Sequence, residues 1–93
     1  MARLRPWKSV AVTADAAVKP GGPCVLGGVI CTSNGTLAGL FDNASAASGK
    51  TMFPSLAMTA GQVVLFGERG LNCDNGIYAD WTSGAFLVLY DDA

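Results

Sequence analysis

Apolar positions along this chain fall in short runs of β-branched and aromatic residues, each closed by Gly, Pro, Asn or Asp. None keeps a helical period over a long amphipathic stretch. Residues 9–14 (SVAVTA) alternate and predict a first strand, and 19–23 (KPGGP) predict a turn with Pro at both ends. Residues 24–32 (CVLGGVICT) are apolar on both faces, which predicts a central strand. Within it, Gly27 and Gly28 predict a bulge or a close approach by another backbone. Ser33-Asn34-Gly35 then reads as a type I′ hairpin turn, with 36–41 (TLAGLF) returning antiparallel. Beyond an Ala/Ser loop at 42–49, residues 51–59 (TMFPSLAMT) predict an edge strand, because Pro54 cannot donate to a ladder.

The second half continues in the same style. Residues 62–66 (QVVLF) form a strand after the Ala60-Gly61 turn, and 67–76 (GERGLNCDNG) a polar loop from which Leu71 and Cys73 reach the core. Residues 76–81 (GIYADW) set Ile77, Ala79 and Trp81 against Tyr78 and Asp80. Residues 85–90 (AFLVLY) are an uninterrupted apolar strand placed at the centre of a sheet. Seven or eight short strands without helices predict an all-β fold: a two-sheet antiparallel β-sandwich, jelly-roll or Ig-like. Residues 1–8 are expected as an N-terminal arm and 9–93 as one sandwich domain.

Composition shifts attention to the surface. Hydrophobic residues make up 51% of the 93 positions and charged residues 14%, against about 25% charged in an average globular domain. A chain of this size buries only about 60–65% of its unfolded surface, so a sparse charged skin points to protein neighbours and a homo-oligomer. Arg3, Arg5 and Lys8 crowd one end, while Asp91 and Asp92 close the other. Three basic residues without interleaved aromatics or a basic helix do not make a nucleic-acid site. No apolar run approaches a membrane span, and no apolar segment of signal-peptide type follows MARLRPWKSV, so neither membrane nor secretion is expected. Cys24, Cys31 and Cys73 are odd in number, lack C-x-x-C spacing and have no histidine beside them. They read as buried free thiols of a chain made in a reducing cytoplasm, with no zinc site. Asn34-Gly-Thr36 and Asn43-Ala-Ser45 fit the glycosylation sequon but read as turn chemistry.

Candidate chemistry is thin. Residues 44–51 (ASAASGKT) fit a relaxed P-loop, and 86–91 (FLVLYD) an apolar strand ending in a Walker-B-type carboxylate. A phosphate cradle needs a helix N-terminus behind the lysine, and Pro54 stands where that helix would propagate. Without histidine there is no Ser-His-Asp or Cys-His arrangement. Glu68, Asp74 and Asp80 are the available carboxylates for glycoside hydrolysis, but no spacing pairs them. No catalytic residue, cofactor or metal is expected. The aromatics Trp7, Phe53, Tyr78 and Trp81 suit either interface anchors or rings that stack on sugars. With Arg3 and Arg5 they make up the candidate interface.

The stretch 15–23 (DAAVKPGGP), then Val25-Leu26-Gly27-Gly28-Val29, Thr36-Leu37, 40–49 (LFDNASAASG), 76–80 (GIYAD) and 88–91 (VLYD) resembles a group of small structural proteins of tailed bacteriophages. That group has an aromatic residue, Asp, a small polar residue and an Ala/Ser/Gly loop at its middle, and ends in an apolar strand closing on Tyr. The resemblance covers roughly residues 10 to 91. It implies a virion protein of all-β fold, made and assembled in the host cytoplasm. The nearest functional type is a capsid decoration (cement) protein, often trimeric, that binds the major capsid protein or other virion proteins and stabilises the head. The alternative is a tail or fibre component, an adhesin domain that binds host glycan. The family carries no catalytic residues to transfer.

Overall fold

The strand from Cys24 to Ser33 is buried on both faces through its first six residues, and the other elements are arranged around it. The computed structural model describes residues 7–67 and 69–92, none of them helical. The strands in chain order are β1 (Lys8–Val12), β2 (Ala16–Lys19), β3 (Cys24–Ser33), β4 (Gly35–Asp42), β5 (Lys50–Phe53), β6 (Leu56–Met58), β7 (Val63–Leu65), β8 (Leu71–Cys73), β9 (Ile77–Trp81) and β10 (Ala85–Asp92).

They form two five-stranded antiparallel sheets, β1-β10-β3-β7 with β8 also on β3, and β2-β9-β4-β5 with β6 also on β4. Because β7 and β8 share one side of β3, and β5 and β6 one side of β4, each sheet has four lanes. The pairings nest: β1 with β10, β2 with β9, β3 with β7 and β8, β4 with β5 and β6. The chain is therefore one long ribbon doubled back at residues 43–49 and rolled up, so that β10 also lies on β3 and β9 on β4. This is the eight-lane jelly roll rather than the Ig-like order. Ten short strands replace the expected seven or eight. Pro54 splits the expected edge strand into β5 and β6, β8 arises in the expected loop, and β2 forms from residues between the expected first strand and turn, reaching into the turn only at Lys19.

Apolar side chains meet between the sheets. Val12, Leu26, Val29, Cys31, Phe86 and Val88 from the first sheet pack toward Val18, Leu37, Leu40, Phe53, Met58 and Ile77 from the second. Burying each such aliphatic or aromatic side chain contributes about 1.5–3 kcal/mol. The Gly27-Gly28 expectation holds as a bulge at Gly27 and as a close backbone approach at Gly28, by the Val64 carbonyl. Gly28 faces Leu89 and Leu26 faces Tyr90, so Gly27 is the extra residue of a bulge. The ring of Trp7 occupies the space where a Cβ on Gly27 would stand, 2.6–2.8 Å away. The stretch expected as an arm thus already contains structure: Trp7 stands against Gly27, and Lys8 opens β1 opposite Tyr90.

The Asn34-Gly35 hairpin does not form. β3 belongs to the first sheet and β4 to the second, so Asn34 is the corner at which the chain crosses the sandwich. Among the described residues, Asn34 included, no non-glycine has positive φ, which a type I′ turn requires at Asn34. The corner is fixed by other bonds: the Ala60 N–H donates to Asn34 Oδ1 at 2.7 Å, and the Thr36 N–H donates to Ser83 Oγ at 3.1 Å. Thr82 and Ser83 N–H donate back to the Thr36 carbonyl at 3.1 and 3.2 Å. Across the corner the two strands pair with other partners, β3 with β10 and β4 with β9.

Gly35 sits against the backbone of Ser83 and Gly84, which would stand within van der Waals distance of any Cβ added there. Gly35→Ala is expected to cost about 1–3 kcal/mol and to lower Tm by at least about 5 °C in a thermal melt. An unchanged Tm would mean that this corner is not closed as described.

Candidate interaction face

Of the six residues expected at an interface, the four that the structure describes do not converge. Arg3 and Arg5 lie outside the described residues. Trp7 is half-buried against Gly27, close to the positions of Val25 and Gly70 on the outer side of the first sheet. Phe53 is a correction: at 3% exposure it belongs to the core, its ring edge-on to Phe66 with centroids 6.1 Å apart. The residue precedes Pro54, and the chain turns it inward to fill the space between the sheets. Tyr78 lies on the outer face of the second sheet, between Ala17 and Phe41. Trp81 is half-buried against the core at the end of β9. Its indole Nε1–H donates to the Gly84 carbonyl at 2.9 Å and its backbone N–H donates to Asp15 Oδ1 at 2.7 Å. It closes the β9–β10 turn.

The most exposed apolar side chains were not on that roster. Leu65 is 63% and Val63 49% exposed. Strand register shows what they belong to. One row across the outer face of the first sheet runs Ala11, Leu87, Ile30, Val63, and the next runs Ser9, Leu89, Gly28, Leu65. Seven of these eight positions are apolar or glycine, one is serine, and none is charged. Four lanes at about 4.8 Å spacing make this a flat strip about 15 Å wide. The corresponding row of the second sheet, Ala17, Tyr78, Phe41, Thr51, is followed by Asp80 opposite Gly39. The sequence signal for the first face was the unbroken apolar run of 85–90, whose odd and even positions cannot both point into one core.

The loop at 42–49 has its own internal order. Asn43 Oδ1 accepts the N–H groups of Ser45 and Ala46 at 2.9 and 3.0 Å, and Asn43 Nδ2 donates to the Ser48 carbonyl and to Ser48 Oγ, both at 3.2 Å. Two of the loop's amides are thus taken by its own side chain, and Lys50 opens a strand rather than the helix a phosphate cradle needs. Of the three carboxylates weighed for hydrolysis, Glu68 lies outside the described residues. Asp80 is on the second sheet's outer face and Asp74 is in the loop after β8. Among the described residues no group of three or more His, Cys, Asp or Glu could hold a metal ion.

Asp42 is the buried charged residue that sequence reasoning passed over, at 7% exposure. It ends β4 and accepts the Asn75 N–H on Oδ1 at 2.8 Å and the Asp74 N–H on Oδ2 at 3.2 Å. One carboxylate thus pins the loop after β8 to the tip of the rolled ribbon. At the same end Asp92 receives Lys8 Nζ at 2.6 Å and Lys19 Nζ at 2.9 Å, joining β10 to β1 and to β2 of the opposite sheet. Hydrogen bonds from Lys8 and Lys19 hold the Asp92 carboxyl down to about 2, and the same contacts raise both lysines above their ordinary value.

Two outcomes follow from these carboxylates. Asp42→Ala leaves two backbone donors without their acceptor and is expected to cost about 2–3 kcal/mol in urea unfolding, with Asp42→Asn losing less. An Ala variant as stable as the parent would remove Asp42 from this role. For Asp92, a depressed folded-state pKa gives a contribution that is present above its ordinary value of 3.8 and lost as pH falls toward about 2. The raised lysines give a contribution that is present below 10.5 and lost as pH rises beyond it. Asp92→Asn is therefore expected to lower the urea midpoint slightly at pH 7 and to leave it unchanged near pH 2. Equal loss at both pH values would contradict the ion-pair account. The groups are exposed, so the effect is small and weakens with salt.

Comparison with family models, with curated proteins and with solved structures finds no match to this chain.

Proposed function

We propose that this chain is a structural virion protein, a capsid decoration protein that assembles as a homo-oligomer, with a trimer favoured, and reinforces a bacteriophage head by protein–protein contacts. The observation that carries the reading is the pair of adjacent charge-free rows on the outer face of the first sheet, with Leu65 and Val63 at their most exposed edge. A face of this kind gains free energy only when another apolar surface covers it. The bacteriophage resemblance of the sequence supplies the setting, and the jelly roll suits it as a rigid block whose sheet faces are available for contact. Arg3 and Arg5 are placed at the contact with a neighbouring subunit. No step of the proposal calls for catalysis, a cofactor, nucleic acid or a membrane.

Copy number in purified particles tests it. Hundreds of copies per particle are expected. Six or twelve copies would move the chain to a connector or tail, and none would end the virion reading. A second arm uses Val63→Glu with Leu65→Glu, at positions exposed enough for the fold to tolerate the change. The double variant is expected to melt within a few degrees of the parent. Its occupancy on particles is expected to fall at least about 10-fold, since burying each side chain is worth about 1–2 kcal/mol at these exposures. Full occupancy by a folded double variant would remove this face from the contact.

One observation favours the adhesin alternative. Tyr78 and Phe41 are ladder neighbours on the outer face of the second sheet, with Asp80 in the next row. Two half-exposed rings beside a carboxylate match the needs of a sugar platform. Glycan binding that disappears with Tyr78→Ala, in a variant that keeps its Tm, would support it. Trp81 is unsuitable for that test, because its indole closes a turn.

A further inference from the structure

Cys24 opens β3 and Cys73 ends β8, and the two are direct partners in the antiparallel ladder. Residues opposed in this way point to the same side of the sheet, with Cα atoms about 4.5–5.5 Å apart. That lies within the range of about 4.4–6.8 Å that a disulfide spans. Both side chains are at most 1% exposed, both thiols are free, and each acts on the other as a side-chain neighbour. The third cysteine supplies an internal control. Cys31 lies opposite Phe86, is equally buried, and directs its thiol to the Ser33 carbonyl at 3.2 Å. Burial alone therefore does not distinguish the pair. Register does.

We propose that Cys24 and Cys73 form a site for a cross-strand disulfide, made by thiol–disulfide exchange with a small-molecule disulfide such as oxidised glutathione. The thiolate of Cys73 attacks one sulfur of the reagent, giving a mixed disulfide and releasing one small thiol. The thiolate of Cys24 then attacks the Cys73 sulfur of that mixed disulfide and releases the second. Two protein thiols are oxidised, one reagent disulfide is reduced, and the two protons end on the two small thiols.

The fold also sets the pace of this reaction. Burial raises both thiols, Cys73 to about 12, so the closed sheet holds little thiolate at neutral pH. β8 is only three residues long and pairs with β3 alone, which makes it an element that opens locally before the sheet does. Opening exposes Cys73, and reclosing returns it to Cys24. The bond would enclose everything from β3 to β8, most of both sheets, and fasten the short edge strand that let the reagent in. The inference does not depend on the virion reading.

The test uses the full chain, purified reduced and then incubated with oxidised glutathione at neutral pH without denaturant. Expected results are an intact mass lower by two hydrogens, a peptide map linking Cys24 to Cys73 with Cys31 free, and a Tm raised by at least about 10 °C. The Tm gain is expected to reverse with a reducing thiol. Cys31→Ala is expected to form the same link, which keeps the test independent of any folding defect in variants of the pair. Stable glutathione adducts without the 24–73 link, a link through Cys31, a linked chain with lowered Tm, or thiols that stay reduced over days would each overturn the proposal.

Discussion

A strand that is apolar on both faces cannot be left with one side in water, and β3 imposes that condition on the whole molecule. Its inner side chains demand an opposing sheet, and its two edges are both occupied, by β10 on one side and by β7 with β8 on the other. Its outer side needs cover of a different kind. Over the first half of β3 the cover is Trp7, seated on the bulged Gly27. Farther along, Ile30 and the neighbouring Leu87, Leu89, Val63 and Leu65 form the exposed apolar strip. Core, bulge and candidate contact surface are thus successive answers to one sequence property.

Much of the fold was legible because it rests on local chemistry. The two-sided apolar pattern placed β3 and β10 centrally, Pro54 marked an edge, and alternation at 77–81 separated Ile77 and Ala79 from Tyr78. What failed depended on partners far away in the chain. Asn34-Gly35 has the composition of a hairpin turn, yet composition cannot say whether the flanking strands prefer each other or β10 and β9. The alanines of β2 carry almost no strand preference, and pairing with β9 alone makes them a strand. Phe53 looked like an anchor because a ring beside a proline gives no sign of which way it turns.

The candidate site was legible in kind rather than in place. Low charge pointed to apolar side chains left on the surface, and among the described residues the large exposed ones, Val63 and Leu65, lie on one sheet. Their location follows from register, which sequence periodicity does not supply. Asp42 was hidden for a related reason. A carboxylate at a strand end usually faces water, and only the return of residues 74 and 75 over it, 32 and 33 positions later, buries it as the acceptor of their amides. Tertiary return of distant segments decided each of these cases.

The rolled ribbon has a consequence for how the protein is made. Its outermost pairing joins Lys8 to Tyr90 and Val12 to Phe86, so β1 waits for β10, which is synthesised more than seventy residues later. Non-local pairing of this kind slows folding. Until β10 leaves the ribosome, β3 lacks one neighbour and β1 lacks its lane altogether, leaving apolar strand edges open along the nascent chain. A chain built to such a plan acquires its native order only once β10 has emerged, in a late closure, and at high expression the interval before that closure is when it is most exposed to aggregation.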